Sequence, residues 1–176
     1  MEGILGCPNC RDSYRIDGGH ADLRPPPRGS LGPGLAQDGS EIGHDAASLQ
    51  ALLGIVRGPG TIALIGAPAL ISEELATLLD EVHVVAVDAE VAGWSEHPDI
   101  SRLTAGDVLP FFSRGLRGVV VDGRLGDSVI RDACRVLAPK SRIVVVQAPD
   151  NASELLAEAS VGVLAQEAGT VVAARS

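Results

Sequence analysis

From residue 47 onward, the hydrophobic positions fall into short continuous runs separated by segments of helical period. The runs predict strands at 61–67, 82–87, 100–104, 118–122 and 142–147. Because most of these runs are apolar at successive rather than alternate positions, we expect helices to cover both faces of the sheet. The helical periods predict those helices at 45–56, 69–80, 127–137 and 151–159.

The end of the chain has a different pattern. Apolar runs at 161–165 and 169–174 flank a Gln-Glu-Ala-Gly turn, which is typical of two antiparallel strands. The regular alternation of strand and helix before them is typical of a parallel sheet. The predicted fold class is therefore α/β, with a mostly parallel sheet and an antiparallel C-terminal strand pair.

The 176 residues suffice for one compact domain and a small appendage. We divide them into a cysteine-bearing head at 1–24, a Pro/Gly-rich linker at 25–46 and the α/β domain at 47–176. The composition of the linker predicts no regular element there.

Charge and cysteine content narrow the range of functions. The chain has 23 acidic and 14 basic residues and a formal charge of −9, which disfavours direct binding to nucleic acid or anionic lipid. It has no run of 18 apolar residues and no secretory-signal pattern, so we expect no transmembrane segment. Three cysteines are too few for a disulfide framework, and we expect a cytoplasmic protein.

A series of motifs in the α/β domain identifies a family resemblance. The segment DSVIRDACRVLAPKSRIVVVQ at 127–147 resembles the passage from the fourth helix to the fifth strand of class I S-adenosylmethionine-dependent methyltransferases. AGDVLPF at 105–111, GVVVDGRL at 118–125 and VHVVAVDAE at 82–90 resemble three further parts of that family, in the same order. The resemblance covers roughly residues 47–176 and implies a Rossmann-like fold with a cofactor crevice at the carboxyl ends of the strands.

The resemblance implies three residues on the cofactor. Gly66, after the first strand, would let the backbone approach the methionine part of S-adenosylmethionine. Asp88 stands where an acid accepts the ribose hydroxyls, and Asp107 where a carboxylate lies beside the adenine amino group. Each carboxylate could instead simply cap the turn that follows it. We interpret Asp122 as a strand-end residue at the rim, and Cys134 as a small core residue.

The first motif departs from the family pattern at 62–70. That pattern runs apolar, apolar, acid, apolar, Gly, any, Gly, any, Gly, whereas this chain has Leu64 at the acidic position and Pro68 and Leu70 at glycine positions. Leu64 cannot balance the ammonium of the cofactor, and Pro68 lacks a backbone donor. We therefore expect S-adenosylmethionine to bind weakly or not at all. No catalytic constellation follows the fourth strand, so the chain has no predicted catalytic residue.

The head resembles a second kind of module. LGCPNCRDSYRIDGGHADLR at 5–24 is similar to the closing half of the zinc ribbons that activate methyltransferases or precede methyltransferase domains. Structural zinc takes four ligands, but this chain has one knuckle, Cys7 and Cys10. Zinc would need His20 and Asp22, or a second chain, to complete the set. The other reading is a metal-free hairpin that docks through apolar residues: Ile4, Leu5, Tyr14, Ile16 and Leu23.

These features lead to two main hypotheses. The first is a non-catalytic methyltransferase-like protein that serves as an interaction or scaffold subunit of a larger assembly, with a protein partner bound through the head and linker. The alternative is an active S-adenosylmethionine-dependent methyltransferase that acts on a small molecule or a protein. A third hypothesis is that the crevice binds another nucleotide-like ligand through Asp88. The fold alone does not choose among them.

Overall fold

The computed structural model describes residues 2–7, 11–35 and 42–176. Within these residues the chain forms one ten-stranded sheet with helices on both faces. The strands are β1 (Gly3–Gly6), β2 (Ser13–Asp17), β3 (His20–Asp22), β4 (Arg57–Ile65), β5 (Asp80–Val87), β6 (Ile100–Thr104), β7 (Leu116–Asp122), β8 (Leu137–Val146), β9 (Val161–Glu167) and β10 (Thr170–Arg175).

Four α-helices lie between the described strands: α1 (Ala46–Leu53), α2 (Ser72–Leu78), α3 (Asp127–Val136) and α4 (Ala152–Glu158). The Asp45 side chain accepts a hydrogen bond from the Ser48 N–H at 2.8 Å and so fixes the start of α1. Short 3₁₀ helices follow three strands, at Ala67–Ile71, Glu90–Gly93 and Gly123–Leu125. None of the helices described is long and apolar enough to cross a membrane.

The strand order across the sheet is β1-β2-β3-β6-β5-β4-β7-β8-β10-β9. The central strands β6, β5, β4, β7 and β8 are mutually parallel, whereas β10 runs antiparallel to both β8 and β9. The predicted fold class, a mostly parallel α/β sheet with an antiparallel C-terminal pair, is confirmed.

Two apolar layers enclose the central strands. Successive residues point to opposite faces of a strand: Ile62 and Leu64 lie in the layer with α1 and α2, and Ala63 and Ile65 lie in the layer with α3 and α4. Because both faces are covered, these strands are apolar at every position. Cys134 is completely buried in the second layer, as predicted, and burial raises the pKa of its thiol to about 11.

Several element boundaries differ from those predicted. β4 starts at Arg57 rather than 61, because Gly58 (φ +99°) and Gly60 (φ +150°) let the strand continue through an irregular register with β5. The single helix predicted at 69–80 is divided into the 3₁₀ helix Ala67–Ile71, with Pro68 in its first turn, and α2. Strand β1 was not predicted, because its sequence GILG is short and does not alternate.

The head extends the sheet of the domain. Strands β1, β2 and β3 are antiparallel, and β3 pairs in parallel with β6, with Ala21 opposite Leu103. His20 is buried, and its Nε2 lies 3.0 Å from the Thr104 hydroxyl oxygen. The buried Arg102 side chain donates to the carbonyl oxygens of Gly18 and Trp94, and so ties the turn between β2 and β3 to the domain.

This docking predicts an acid-sensitive contribution to stability. Burial lowers the pKa of His20 below its ordinary value of 6.5. The unfolded chain therefore binds more protons below about pH 6.5, and the contribution of His20, present above that pH, is lost as the pH falls. We expect the free energy of unfolding, measured with urea, to fall from about pH 7.5 to about pH 5.5, and to fall less steeply in His20→Gln.

The matched control is His83→Gln. The His83 ring bonds the Ser101 hydroxyl at 2.8 Å in a more exposed position on the domain. This variant should keep the pH dependence of the original protein. A His20→Gln protein that loses stability as steeply as the original protein would contradict the assignment.

Candidate functional site

The carboxyl ends of the central parallel strands open into a cavity of about 310 Å³. Crevices at this edge of a parallel sheet are the usual ligand sites of the fold class. The cavity is lined by residues from the ends of three strands, the loop after β6, the 3₁₀ helix after β7, α3 and the linker: Pro33, Gly34, Leu35, Ile65, Gly66, Val87, Asp88, Ala89, Thr104, Ala105, Gly106, Asp107, Leu109, Leu125 and Val129. The structure thus brings Gly66, Asp88 and Asp107 to one cavity.

Gly66 directly follows β4 in a conformation that favours glycine (φ +80°). Its N–H donates to the carbonyl oxygen of Val87 at 2.9 Å. A β-carbon here would lie 2.8 Å from the Asp122 β-carbon, 3.1 Å from Leu125 Cδ1 and 3.4 Å from Leu35 Cδ1. The position that a β-carbon of Gly66 would take is therefore crowded by side chains of this chain, while Gly66 itself lines the cavity.

The rest of the first motif also faces protein. Leu64 is completely buried in the layer with α1 and α2. After Gly66, the buried residues Ala67, Pro68 and Ala69 turn into the 3₁₀ helix Ala67–Ile71. Pro68 offers no N–H to a ligand. The segment packs as part of the core and leaves few backbone donors toward the cavity.

Asp88 follows β5, and its side chain is buried. Oδ1 accepts the N–H of Glu90 at 2.9 Å, and Oδ2 accepts the N–H of Leu35 at 3.1 Å. The second donor comes from the linker, 53 residues away in sequence. Both oxygens of this carboxylate therefore have a backbone partner in the protein.

Asp107 is exposed in the loop after β6, where its Oδ2 accepts the Ser128 hydroxyl at 3.2 Å. The same loop is fixed to α3 by a second group of contacts. The Leu109 N–H donates to Asp132 at 2.6 Å, and Arg135 donates to the carbonyl oxygens of Leu109 and Phe111 at 2.9 Å each. The loop that carries Asp107 is thus held in place by charged side chains of α3.

Asp122 ends β7 at the rim of the cavity and is completely buried. Its oxygens accept the Nε and Nη2 groups of Arg124 at 2.9 and 2.6 Å, and Oδ1 also accepts the Arg124 N–H at 3.0 Å. The carboxylate caps the 3₁₀ helix Gly123–Leu125 and is neutralised by the guanidinium. Both oxygens of Asp122 are therefore engaged by a residue of the same chain.

The possible zinc ligands are separated or engaged elsewhere. Cys7 follows β1 in a turn closed by hydrogen bonds with Arg11 and Asp12, and Cys10 lies outside the described residues. His20 contacts Thr104, and Asp22 pairs with Arg24 at 2.8 Å. The hydrogen bond from Arg24 lowers the pKa of Asp22. Among residues 2–7, 11–35 and 42–176, no group of three or more His, Cys, Asp and Glu side chains could hold a metal ion.

The linker residues in the cavity are the part of the site that sequence reasoning missed. Residues 33–35 belong to a Pro/Gly-rich stretch, and nothing in its composition places it over a sheet. The one available signal is Leu35, an apolar residue that follows Gly-Pro-Gly. A lone leucine in such a stretch indicates a point of docking only after the fold is known.

No protein-family model and no curated protein matches the chain. Solved structures do. A chain in the complex of the Haloferax volcanii Trm112 methyltransferase activator with a candidate methyltransferase aligns with a TM-score of 0.56 and 16% identity, over 75% of this chain and 76% of that one. A SAM-dependent methyltransferase from Aquifex aeolicus aligns with a TM-score of 0.57 and 14% identity, over 79% and 94%.

A third similar structure has a different activity. The [4+2]-cyclase SpnF aligns with a TM-score of 0.54 and 14% identity, over 69% of this chain and 57% of that one. At these identities the likeness concerns the fold alone. The chain therefore has the Rossmann-like fold seen in SAM-dependent methyltransferases, and its site must be judged on its own residues.

The packing of the first motif gives a testable difference between two leucines. Leu64 is completely buried, whereas Leu70 is 38% exposed. Because Leu64→Ala leaves a cavity in the core, we expect it to lower the free energy of unfolding by about 2–5 kcal/mol. The control, Leu70→Ala, should cost less than about 1 kcal/mol. Urea unfolding of both variants measures the difference, and equal losses would contradict the core role of Leu64.

Proposed function

We propose that this chain is a non-catalytic methyltransferase-like protein that serves as an interaction or scaffold subunit of a larger assembly. The observation that carries this proposal is the crowding on the β-carbon side of Gly66, where Leu35, Leu125 and Asp122 approach. There the family resemblance implies the methionine part of S-adenosylmethionine. A donor bound in that place would have to displace two apolar side chains and a paired carboxylate.

Electrostatics support the same conclusion. S-adenosylmethionine carries a cationic ammonium and a sulfonium, so its site needs an anion or several oriented acceptors. Asp88 is occupied by two backbone N–H groups, Asp122 is paired with Arg124, and the acidic motif position is Leu64. An unpaired ammonium costs on the order of several kcal/mol. A micromolar ligand has only about 8 kcal/mol of binding free energy in total.

The cavity also offers little for catalysis. Among its described lining residues, Asp88 and Asp107 are the titratable ones. The former is held by the backbone, and the latter bonds Ser128 on the exposed side. A general base must reach its proton directly or through one water. Ser128, whose hydroxyl bonds Asp107, does not line the cavity, and neither carboxylate bonds a histidine in the described structure, so the residues present favour a binding role.

Two of the similar structures make a non-methylating role reasonable. SpnF is a [4+2]-cyclase on the same fold, so the fold does not require methyl transfer. Another similar chain belongs to a complex with the Trm112 methyltransferase activator. By analogy, we infer that this chain also binds a protein.

We assign the partner surface to β1 in the head. In the described part of the chain, β1 has a neighbour on one side only, so its other edge offers unpaired backbone groups. Its side chains Ile4 and Leu5 are 71% and 45% exposed, and its sequence GILG has no charge that would prevent pairing. An extended segment of a partner protein could add to this edge as a further strand.

The alternative, an active S-adenosylmethionine-dependent methyltransferase acting on a small molecule or a protein, is favoured by one observation. Gly66, Asp88 and Asp107 line the same cavity, and that cavity has the size of an ordinary ligand pocket. An enzyme of this kind would have to move residues 33–35 and hold the methionine part in an unusual way.

Calorimetry with S-adenosylhomocysteine decides between the two. We expect no binding at ligand concentrations up to about 1 mM, because the β-carbon side of Gly66 is crowded and the acidic motif position is the buried Leu64. The Aquifex aeolicus methyltransferase of the same fold serves as the positive control. A low-micromolar dissociation constant that is lost in Asp88→Ala would establish the alternative and refute our proposal.

The partner surface is tested with two charged variants. Ile4→Lys places a charge on the open edge of β1, whereas Val56→Lys places one at a 70% exposed position on the domain. With affinity capture from the source cells and quantitative mass spectrometry, we expect one protein to be retained by the original chain and by Val56→Lys. Ile4→Lys should retain at least about tenfold less of it. Equal retention by all three chains, or no specific protein, would contradict the proposal.

A further inference from the structure

The linker lies against the crevice at residues 33–35. Pro33, Gly34 and Leu35 all line the cavity at the carboxyl ends of the central strands. The Leu35 N–H donates to Asp88 Oδ2 at 3.1 Å, and the Glu90 N–H occupies Oδ1 at 2.9 Å. A backbone N–H that donates to a carboxylate makes a charge-assisted hydrogen bond, which is stronger than one between neutral groups.

Position 34 fits only a glycine. A β-carbon on Gly34 would overlap the Oδ1 atom of Asp88, and it would lie 2.9 Å from the backbone nitrogen of Glu90. Rotation of the Asp88 side chain would relieve the first contact but not the second. The crevice therefore selects the residue before Leu35 by close approach of two backbones.

The Leu35 side chain fills an apolar part of the cavity. Its Cδ1 atom lies 3.4 Å from the β-carbon position of Gly66, on the same side as Leu125 Cδ1. The residue thus makes a polar contact through its N–H and an apolar contact through its side chain. This combination of one anchoring side chain and one backbone hydrogen bond is typical of peptide recognition.

The linker on the N-terminal side of this segment is held as well. Arg24 pairs with Asp22 at 2.8 Å, and its Nη2 donates to the carbonyl oxygen of Gly29 at 2.8 Å. Pro25 packs against Gly106, at 3.2 Å from the β-carbon position of that glycine. These contacts bring the linker from β3 toward the crevice, so residues 33–35 need little further ordering to bind.

We propose that the crevice is a groove that binds a Pro-Gly-Leu peptide segment, and that residues 33–35 of this chain are its ligand. Asp88 recognises the backbone of the segment, the close approach to Asp88 and Glu90 selects glycine, and the space beside Gly66 receives the leucine. The inference goes beyond the proposed function, which concerns the methyl donor and the partner protein. A nucleoside can reach Asp88 only by displacing this segment.

Hydrogen exchange of the Leu35 amide, measured by NMR on the full chain, tests the proposal. In the original protein this amide should exchange at least about tenfold more slowly than in an unstructured peptide, because Asp88 accepts it. Gly34→Ala should remove most of that protection. Gly32→Ala is the matched control, since a β-carbon there meets nothing within 4 Å, and it should change the rate by less than about twofold.

Two results would overturn the proposal: exchange of the Leu35 amide at the unstructured rate in the original protein, and full protection in Gly34→Ala. A third result that would overturn the proposal is tested with adenosine, which serves as a probe of the crevice. At about 1 mM adenosine, we expect the Leu35 amide to remain protected. Its release by adenosine would mean that the groove prefers a nucleoside to its own segment.

These measurements stand apart from the test of the proposed function. Tight binding of S-adenosylhomocysteine would refute a non-catalytic role even if the Leu35 amide were protected in the free protein. Exchange of the Leu35 amide at the unstructured rate in the free protein would refute the proposed peptide groove even if S-adenosylhomocysteine did not bind.

Discussion

A buried carboxylate must find hydrogen-bond donors, and Asp88 meets this requirement with two backbone N–H groups, from Glu90 and from Leu35. The carboxyl ends of parallel strands converge on one crevice, so an acid at the end of β5 faces that crevice whether or not a ligand fills it. In this chain the second donor is the linker. One hydrogen bond thus connects the position of residues 33–35, the shape of the cavity and the access to Asp88.

The same requirement is met differently at Asp122, which is completely buried and paired with Arg124 only two residues later. There the carboxylate fixes the start of a 3₁₀ helix, whereas at Asp88 it fixes a distant segment. The acids at the ends of β5 and β7, the two strands that flank β4, therefore stabilise the protein itself. Because Asp88 and Asp122 are both engaged within the chain and Leu64 lies in the core, we favour a binding protein over an enzyme.

The sequence predicts the strands of the central sheet well, but it does not predict the contacts that other segments make with that sheet. Continuous apolar runs such as 118–122 predict strands covered on both faces, and these strands have that position in the structure. The motif series also singled out Gly66, Asp88 and Asp107, which are among the residues that line one cavity, and their role in binding a cofactor stays a prediction. Their hydrogen-bond partners could not be predicted, because contacts such as that between Asp88 and Leu35 join distant segments and have no periodic pattern.

Because β3 pairs with β6, the head can join the sheet only after β6 has been synthesised. His20 and Thr104 meet across 84 positions in sequence, so β3 leaves the ribosome long before its neighbour exists. Until then the β2–β3 hairpin is a small unit that lacks the neighbouring strand and the sheet on which His20 becomes buried. When β3 joins, it also covers the outer edge of β6, which would otherwise be free to pair with another chain. The head therefore joins the sheet late. Once joined, it protects the outer edge of β6, the strand beside the crevice, from pairing with another chain.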